Sequence, residues 1–290
     1  LDAKGELAAK ILDYEHAGPD DLAQDYAAIR PPFSETGSPK LAGGLNIGAQ
    51  LYWQFEQDPT LRGRTQTIVT YPQFWGALLT GKVAMDVTSL GCHTALWNPH
   101  EGTFSSLVAA LGIAGKLPPV RKPWEVLGPV LPDIAAETGL RPGTPVHCGI
   151  HEYYASLLPY ILAHDAPFSV VSSGTWVIAM SVGGTPVTLD PDLDALINVT
   201  AQGAPAPSAR FMGGREHDLA TGGPYPTPTR NDLDAVLVSQ VMLLPAVVPE
   251  TGPFKGCRSA WIGAEPASGT ARRGAAVALY LALVTAECLR

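Results

Sequence analysis

ETGLRPGTPVHCGIHE, residues 137–152, holds the end of one helix, an extended segment and the approach to another helix. Pro132 stands in the first turn of the helical stretch before it and Gly139 just past its end, the usual asymmetry of start and stop. TPVHCG at 144–149 reads as a strand, and the apolar spacing after it reads as a helix over 155–163. Glu152 falls between them. As the end of a buried strand it would aim its carboxylate into a cleft, because ligands bind at strand ends in α/β sheets. It equally suits a helix start, where the macrodipole favours a carboxylate. Spacing alone leaves both readings open.

Working outward, FSVVSSGTWVIAMSV at 168–182 reads as a hairpin whose SerSerGly turn brings backbone N–H groups near a ligand. Upstream, helices are expected after Pro19, from Asp20 to Ile29, and over Asn46–Gln57, where Ile47, Leu51, Tyr52 and Phe55 share a face. A further helix runs from Pro72 to Gly81 and carries Phe74, Trp75, Leu78 and Leu79. The apolar run from Gly274 to Ala286 is too short to cross about 30 Å of hydrocarbon and reads as a buried helix. Pro224 to Pro228 reads as a surface loop. Helical and extended segments alternate, which gives the α/β class.

At ~150 residues per domain, 290 residues suggest two domains. With 46% apolar and 16% charged residues, disorder is excluded. Nineteen Lys and Arg against 27 Asp and Glu give a net charge of −8, which argues against nucleic acid or an anionic membrane as partner. Cys92, Cys148, Cys257 and Cys288 form no CxxC pair, so they read as reduced thiols and, with no secretory leader in view, as cytoplasmic. GALLTGKV at 76–83 misses a phosphate loop at Val83 and follows a helix where a strand is needed. His147, His151 and Glu152 are plausible zinc donors, but Pro145 and Gly149 oppose the helix that would align them. The chain opens on Leu1 and closes inside a helical pattern at Arg290, so both ends read as cut.

Three segments, YPQFWGALLTG (71–81), ETGLRPGTPVHCGIHE (137–152) and VSSGTWV (171–177), resemble in order and spacing the FGGY family of carbohydrate kinases. Weaker similarity runs through MLLPA (242–246) to the C-terminal helix. The resemblance implies two ribonuclease-H-like domains of the actin-like ATPase superfamily flanking a cleft. Residues 1–166 would be a partial sugar-binding domain and 167–290 a partial nucleotide-binding domain. The implied reaction uses ATP and Mg2+ to phosphorylate a sugar hydroxyl, on a ketose of rhamnulose, fuculose or xylulose type. By the same resemblance Glu152 is the catalytic base, and Ser172, Ser173, Gly174 and Thr175 form the phosphate-facing turn. Asp13, Glu15 and His16 fall where relatives carry a sugar-contacting segment, with Trp75, His93 and His151 as further sugar contacts. Arg215, Glu216 and His217 are candidates to line the cleft from the second domain. Partners are then small molecules, and a homodimer is left open.

The chain departs from the family pattern at several points. The base is normally aspartate, whereas Glu152 is longer and is followed by Tyr153 and Tyr154, which would narrow the pocket. Displacing a carboxylate by about 1 Å can cost on the order of 10²-fold in rate. Ala95 is apolar in a segment where relatives tend to be polar. Neither the family's DxGT phosphate loop nor its glycine-rich adenosine motif is among these 290 residues; weak ATP binding is expected if they are the entire polypeptide, and the family function stands if they are part of a longer one. Two alternatives follow: a catalytically disabled sugar-binding or scaffold relative on the same fold, and a metal-dependent hydrolase.

Overall fold

The computed structural model describes residues 1–290, which group into two units: Leu1–Ala163 with Ile197–Pro205, and His164–Leu196 with Ala206–Arg290. In the first unit a 3-10 turn at Gly18–Leu22 runs into α1 (Ala23–Ile29), so the helix expected from Asp20 begins one turn later. Next come α2 (Phe33–Thr36), α3 (Ile47–Gln57), α4 (Leu61–Arg64) and α5 (Tyr71–Thr80). Asn46 accepts from the Ala49 amide and caps α3 where the apolar spacing starts it. Gly81, at φ 68°, ends α5 in the left-handed conformation that glycine adopts without steric cost.

Short elements then alternate: β1 (Met85–Asp86), α6 (Val87–Leu90), β2 (Trp97–Asn98), β3 (Thr103–Phe104), α7 (Ser106–Ala110), β4 (Val120–Arg121), β5 (Val126–Pro129), α8 (Pro132–Thr138), β6 (Pro145–His147) and α9 (Glu152–Ala163). β1 pairs parallel with β4, while β2–β3 and β5–β6 are antiparallel ribbons. They surround a core in which Met85, Leu90, Leu96, Leu107 and Ile113 are fully buried, each stabilising by about 1.5–3 kcal/mol relative to exposure.

Two expectations change here. The segment 144–149 forms only the short β6, in a two-stranded ribbon with Pro145 and His147 exposed. Pro145 has no N–H to extend a ladder, so Glu152 does not end a buried strand. α9 begins at Glu152, ahead of the expected Ala155, because the His151 carbonyl accepts from the Tyr154 and Ala155 amides at 2.9 and 3.1 Å.

In the second unit β7 (Phe168–Ser173) and β8 (Val177–Val182) form the expected hairpin, paired from Phe168–Val182 down to Ser173–Val177. β10 (Pro205–Phe211) pairs antiparallel with β8, from Ser208–Met180 to Phe211–Val177, and β9 (Ala195–Val199) is divided between the two units. Helices α10 (Gly213–Thr221) and α11 (Arg230–Val238), the ribbon of β11 (Met242–Leu244) and β12 (Ala260–Ile262), and α12 (Ala271–Cys288) complete a mixed α/β architecture. The apolar stretch 274–286 is buried on one face only: Val277, Tyr280 and Val284 enter the core while Leu283 stays half exposed.

Glu216, expected as a cleft-lining residue, is instead fully buried. Its Oε1 accepts from the Val248 amide at 3.0 Å and its Oε2 from the Tyr280 hydroxyl at 2.7 Å, tying α10 to α12 and to the chain after β11. Burial, then the hydrogen bond to Glu216, drives the Tyr280 hydroxyl strongly upward in pKa, so it stays a donor. Tyr280→Phe removes one of the two donors from this carboxylate. It is expected to destabilise the protein by about 1–3 kcal/mol, read as a lower urea midpoint at unchanged slope.

Candidate active site

Asp86 ends β1 and caps α6. Its fully buried carboxylate accepts from the amides of Thr88 and Ser89 at 3.2 and 2.8 Å, from the Ser89 hydroxyl at 2.9 Å, and from the Thr88 hydroxyl. Burial pushes the Asp86 carboxyl up in pKa, and these four donors oppose the shift. Thr88 Oγ1 in turn accepts the His151 backbone N–H at 2.9 Å. His151 precedes α9 and receives the Tyr153 N–H on its Nδ1 at 3.4 Å. Burial lowers the His151 pKa against the pull of neighbouring Glu152, which keeps the ring neutral and Nδ1 an acceptor. Glu152 itself is exposed on the first turn of α9. From α5, buried Gln73 donates to the Cys148 carbonyl at 3.0 Å, and burial pushes the Cys148 thiol up to about 11.

The other sugar-contact candidates fall around α3 and α5. Asp13, Glu15 and His16 share one turn, in which Asp13 Oδ1 accepts the Glu15 N–H at 2.8 Å and the Asp13 carbonyl accepts the His16 N–H at 3.1 Å. Asp13 and Glu15 are exposed, and His16 meets Trp53 of α3 edge-on with ring centroids 5.1 Å apart. Trp75 is half exposed on α5, edge-on to Tyr71 and Phe74. His93 and Ala95 are both left-handed, at φ 53° and 56°, and the carbonyls of His93 and Thr94 accept the Ile47 and Gly48 amides at the start of α3. Hydrogen bonds thus link Asp86, Thr88 and His151, the residue before Glu152, and fasten the 93–95 segment to α3. Tyr154 is fully buried in the core, so it does not narrow a pocket.

The hydrolase alternative lacks its geometry. His147 Nδ1 sits 2.7 Å from the Trp124 carbonyl, His151 Nδ1 is engaged by Tyr153, and no group of three or more His, Cys, Asp or Glu side chains is placed to hold a metal ion. Two depressions lie within the single units, one beside Tyr26 and Arg30 and the other beside Met242 and Val284.

In the second unit the turn closing the β7–β8 hairpin is Gly174-Thr175-Trp176. Ser172 and Ser173 are the last residues of β7 and point to opposite faces, with Ser173, Gly174 and Thr175 exposed and Ser172 half-buried. The Gly174 N–H donates to the Trp176 carbonyl at 2.9 Å, so this amide is spent inside the turn and does not face outward as the sequence reading expects. Ser173 and Thr175 are the exposed hydroxyl residues here. Gly214, at the start of α10, donates to the Thr175 carbonyl at 3.1 Å, and a Cβ there would lie 2.3 Å from the Gly174 carbonyl oxygen. Behind the turn the Arg210 guanidinium stacks over Trp176 at 4.7 Å and pairs with the buried Asp194 at 3.2 Å. Sequence reasoning missed Asp86, Thr88, Gly214 and Arg210; only the capping pattern after Asp86 and the Gly213-Gly214 pair were signals in the chain.

The family model for the FGGY family of carbohydrate kinases, N-terminal domain, matches residues 37–159, and that for carbohydrate kinase FGGY, C-terminal domain, matches residues 165–290. The chain belongs to the FGGY family of carbohydrate kinases. It is similar to a carbohydrate kinase from Novosphingobium aromaticivorans, with a TM-score of 0.90 and 39% identity, over 98% of this chain and 63% of that one. A xylulose kinase from Lactobacillus acidophilus shares the fold at a TM-score of 0.76 and 17% identity, over 100% of this chain and 61% of that one. A probable L-xylulose kinase from Pasteurella multocida (strain Pm70) is 30% identical over 136 residues, which is 46% of this chain and 28% of the relative. The chain therefore spans less than two thirds of the length of these FGGY proteins.

A pH prediction follows from His151. Its native pKa lies below 6.5, so on acidification the unfolded chain takes up this proton first and stability falls as the pH drops through 6.5. Asp86, raised from 3.8, acts with the opposite sign, adding stability as the pH falls through its native pKa. His151→Gln is expected to lessen the loss of stability between about pH 7 and pH 5, measured as the change in urea midpoint.

Proposed function

We propose that this chain forms the acceptor carboxylate and the phosphate-facing turn of an ATP-dependent kinase that phosphorylates a hydroxyl of a ketose. The likeness to a probable L-xylulose kinase supports a xylulose-type substrate over the rhamnulose and fuculose types. The observation that carries the reading is Glu152: in a chain of this family, a carboxylate stands exposed on the first turn of α9 while buried hydrogen bonds hold the backbone beside it. Glu152 accepts the proton of the attacking hydroxyl. ATP with Mg2+, when bound, supplies the phosphoryl group and neutralises the charge that develops on it. Ser173 and Thr175 donate hydroxyl hydrogen bonds to phosphate oxygens, and Gly174 leaves room for their approach, since a Cβ there would meet nothing nearer than 3.9 Å. Mg2+ keeps several waters and takes one or two carboxylates plus phosphates, so the reading needs no side-chain cage. Sugar and ATP are then the partners. A cytoplasmic location is part of the proposal and is supported by four free cysteines; no helix is long and apolar enough to cross a membrane. A sugar-binding relative without turnover is the second reading, favoured by the extra methylene of Glu152.

Sugar-dependent ADP release by the full polypeptide, across ketoses, aldoses and polyols, tests the proposal. Glu152→Gln is expected to lower kcat by about 10²- to 10⁴-fold and to leave sugar affinity within about threefold, because the base acts in the transition state. Sugar binding without ADP release by the wild type selects the second reading, and unchanged kcat in the variant removes Glu152 as base.

A further inference from the structure

We propose that the Thr88 hydroxyl positions Glu152, acting through the backbone N–H of His151. The role rests on the kinase reading above. Thr88 is fully buried, and its oxygen has one proton to give and two lone pairs to offer. The Asp86 carboxylate, an acceptor, takes the proton, which turns a Thr88 lone pair toward the His151 N–H at 2.9 Å. A hydroxyl bonded to a charged acceptor is itself a stronger acceptor, so the two bonds reinforce one another.

Other buried threonines of this unit use their hydroxyls locally. Thr65 and Thr80 donate to the carbonyls four residues back, those of Leu61 and Gly76, at 2.9 and 2.7 Å. Thr88 instead reaches across 63 residues of sequence to the residue immediately before the carboxylate. The amides of Tyr153, Tyr154 and Ala155 all close on His151, through its Nδ1 and its carbonyl, so the first turn of α9 hangs on that residue. Glu152 is exposed, and its location is therefore set by its backbone. The path from β1 to the base runs Asp86, Thr88, His151, Glu152. Thr88 touches no substrate on this account and acts only by fixing where the carboxylate starts.

Thr88→Val keeps the shape and removes the hydroxyl, whereas Thr88→Ser keeps the hydroxyl and removes the methyl group. Thr88→Val is expected to lower kcat for sugar-dependent ADP release by about 10- to 100-fold, with the sugar KM within about threefold and faster hydrogen exchange at the His151 amide. Thr88→Ser is expected to stay within about threefold of wild type on all three. Wild-type kcat in Thr88→Val, or the same loss in both variants, overturns the proposal, since the second pattern reports packing of the methyl group. If Thr88→Val does not fold, Thr88→Cys, whose thiol is a weak acceptor, must show the kcat loss, and full activity overturns the role. If the wild type releases no ADP with any sugar, the kinase reading fails separately. The His151 amide then decides: exchange faster in Thr88→Val and not in Thr88→Ser upholds the link to residue 152, and unchanged exchange overturns it.

Discussion

A carboxylate withdrawn from water must find donors for its lone pairs, and each unit of this protein is arranged around that demand. In the first unit Asp86 collects four donors from α6 within three residues of itself, and the hydroxyl it polarises reaches the start of α9. In the second, Asp194 is held left-handed at φ 59°, pairs with Arg210, and takes the Gly252 N–H at 3.3 Å. Desolvation offsets much of what such pairs gain, so their worth lies in specificity. Arg210 fixes Trp176 through its ring face, and Trp176 closes the turn that carries Thr175. Both halves of the proposed chemistry thus stand one or two contacts from a buried acid.

The parts of the fold that obey local rules were legible in the chain. Asn46 begins α3, Pro132 and Gly139 bound α8, Gly81 ends α5, and the small-residue run between two β-branched arms is a hairpin. What escaped depends on partners distant in sequence. No propensity marks His151 as the residue that opens α9; the Thr88 hydroxyl and the closing amides decide it. The pairing of β6 with β5 alone, and the turn of Tyr154 into the core, follow from which neighbours are present in space. Among the candidate residues, Glu152 is singled out by its motif and Asp86 is not, although an Asp ahead of Val-Thr-Ser is a readable cap.

Ala95 shows how one departure can be read twice. From the sequence it is a missing polar group in a sugar-facing segment. In place, its φ of 56° lies where alanine is disfavoured by about 1–2 kcal/mol and where Asn or Asp is several-fold enriched. The segment holds that conformation because the His93 and Thr94 carbonyls serve the first amides of α3 and the Ser105 hydroxyl bonds the Ala95 carbonyl at 2.6 Å. A polar residue at this position therefore has a backbone reason as well as a ligand reason.

The same distinction governs Glu152. If hydrogen bonds from the core fix the backbone of residue 152, lengthening its side chain by one methylene moves the proton acceptor outward by about 1 Å, a displacement large enough to silence a base aligned for the shorter residue. The enzyme reading then requires the attacking hydroxyl to sit correspondingly farther from the start of α9, or the glutamate to fold back through its additional torsion. The first possibility makes residue 152 a determinant of which acceptor reacts. The second carries an entropic cost that an aspartate avoids, because one more rotatable bond must be frozen in the transition state. The side chain is exposed, so on the proposed reading the ordering of that torsion would come from the sugar. A substrate able to close over Glu152 and restrict it would be turned over, and one that binds without doing so would be held and not phosphorylated.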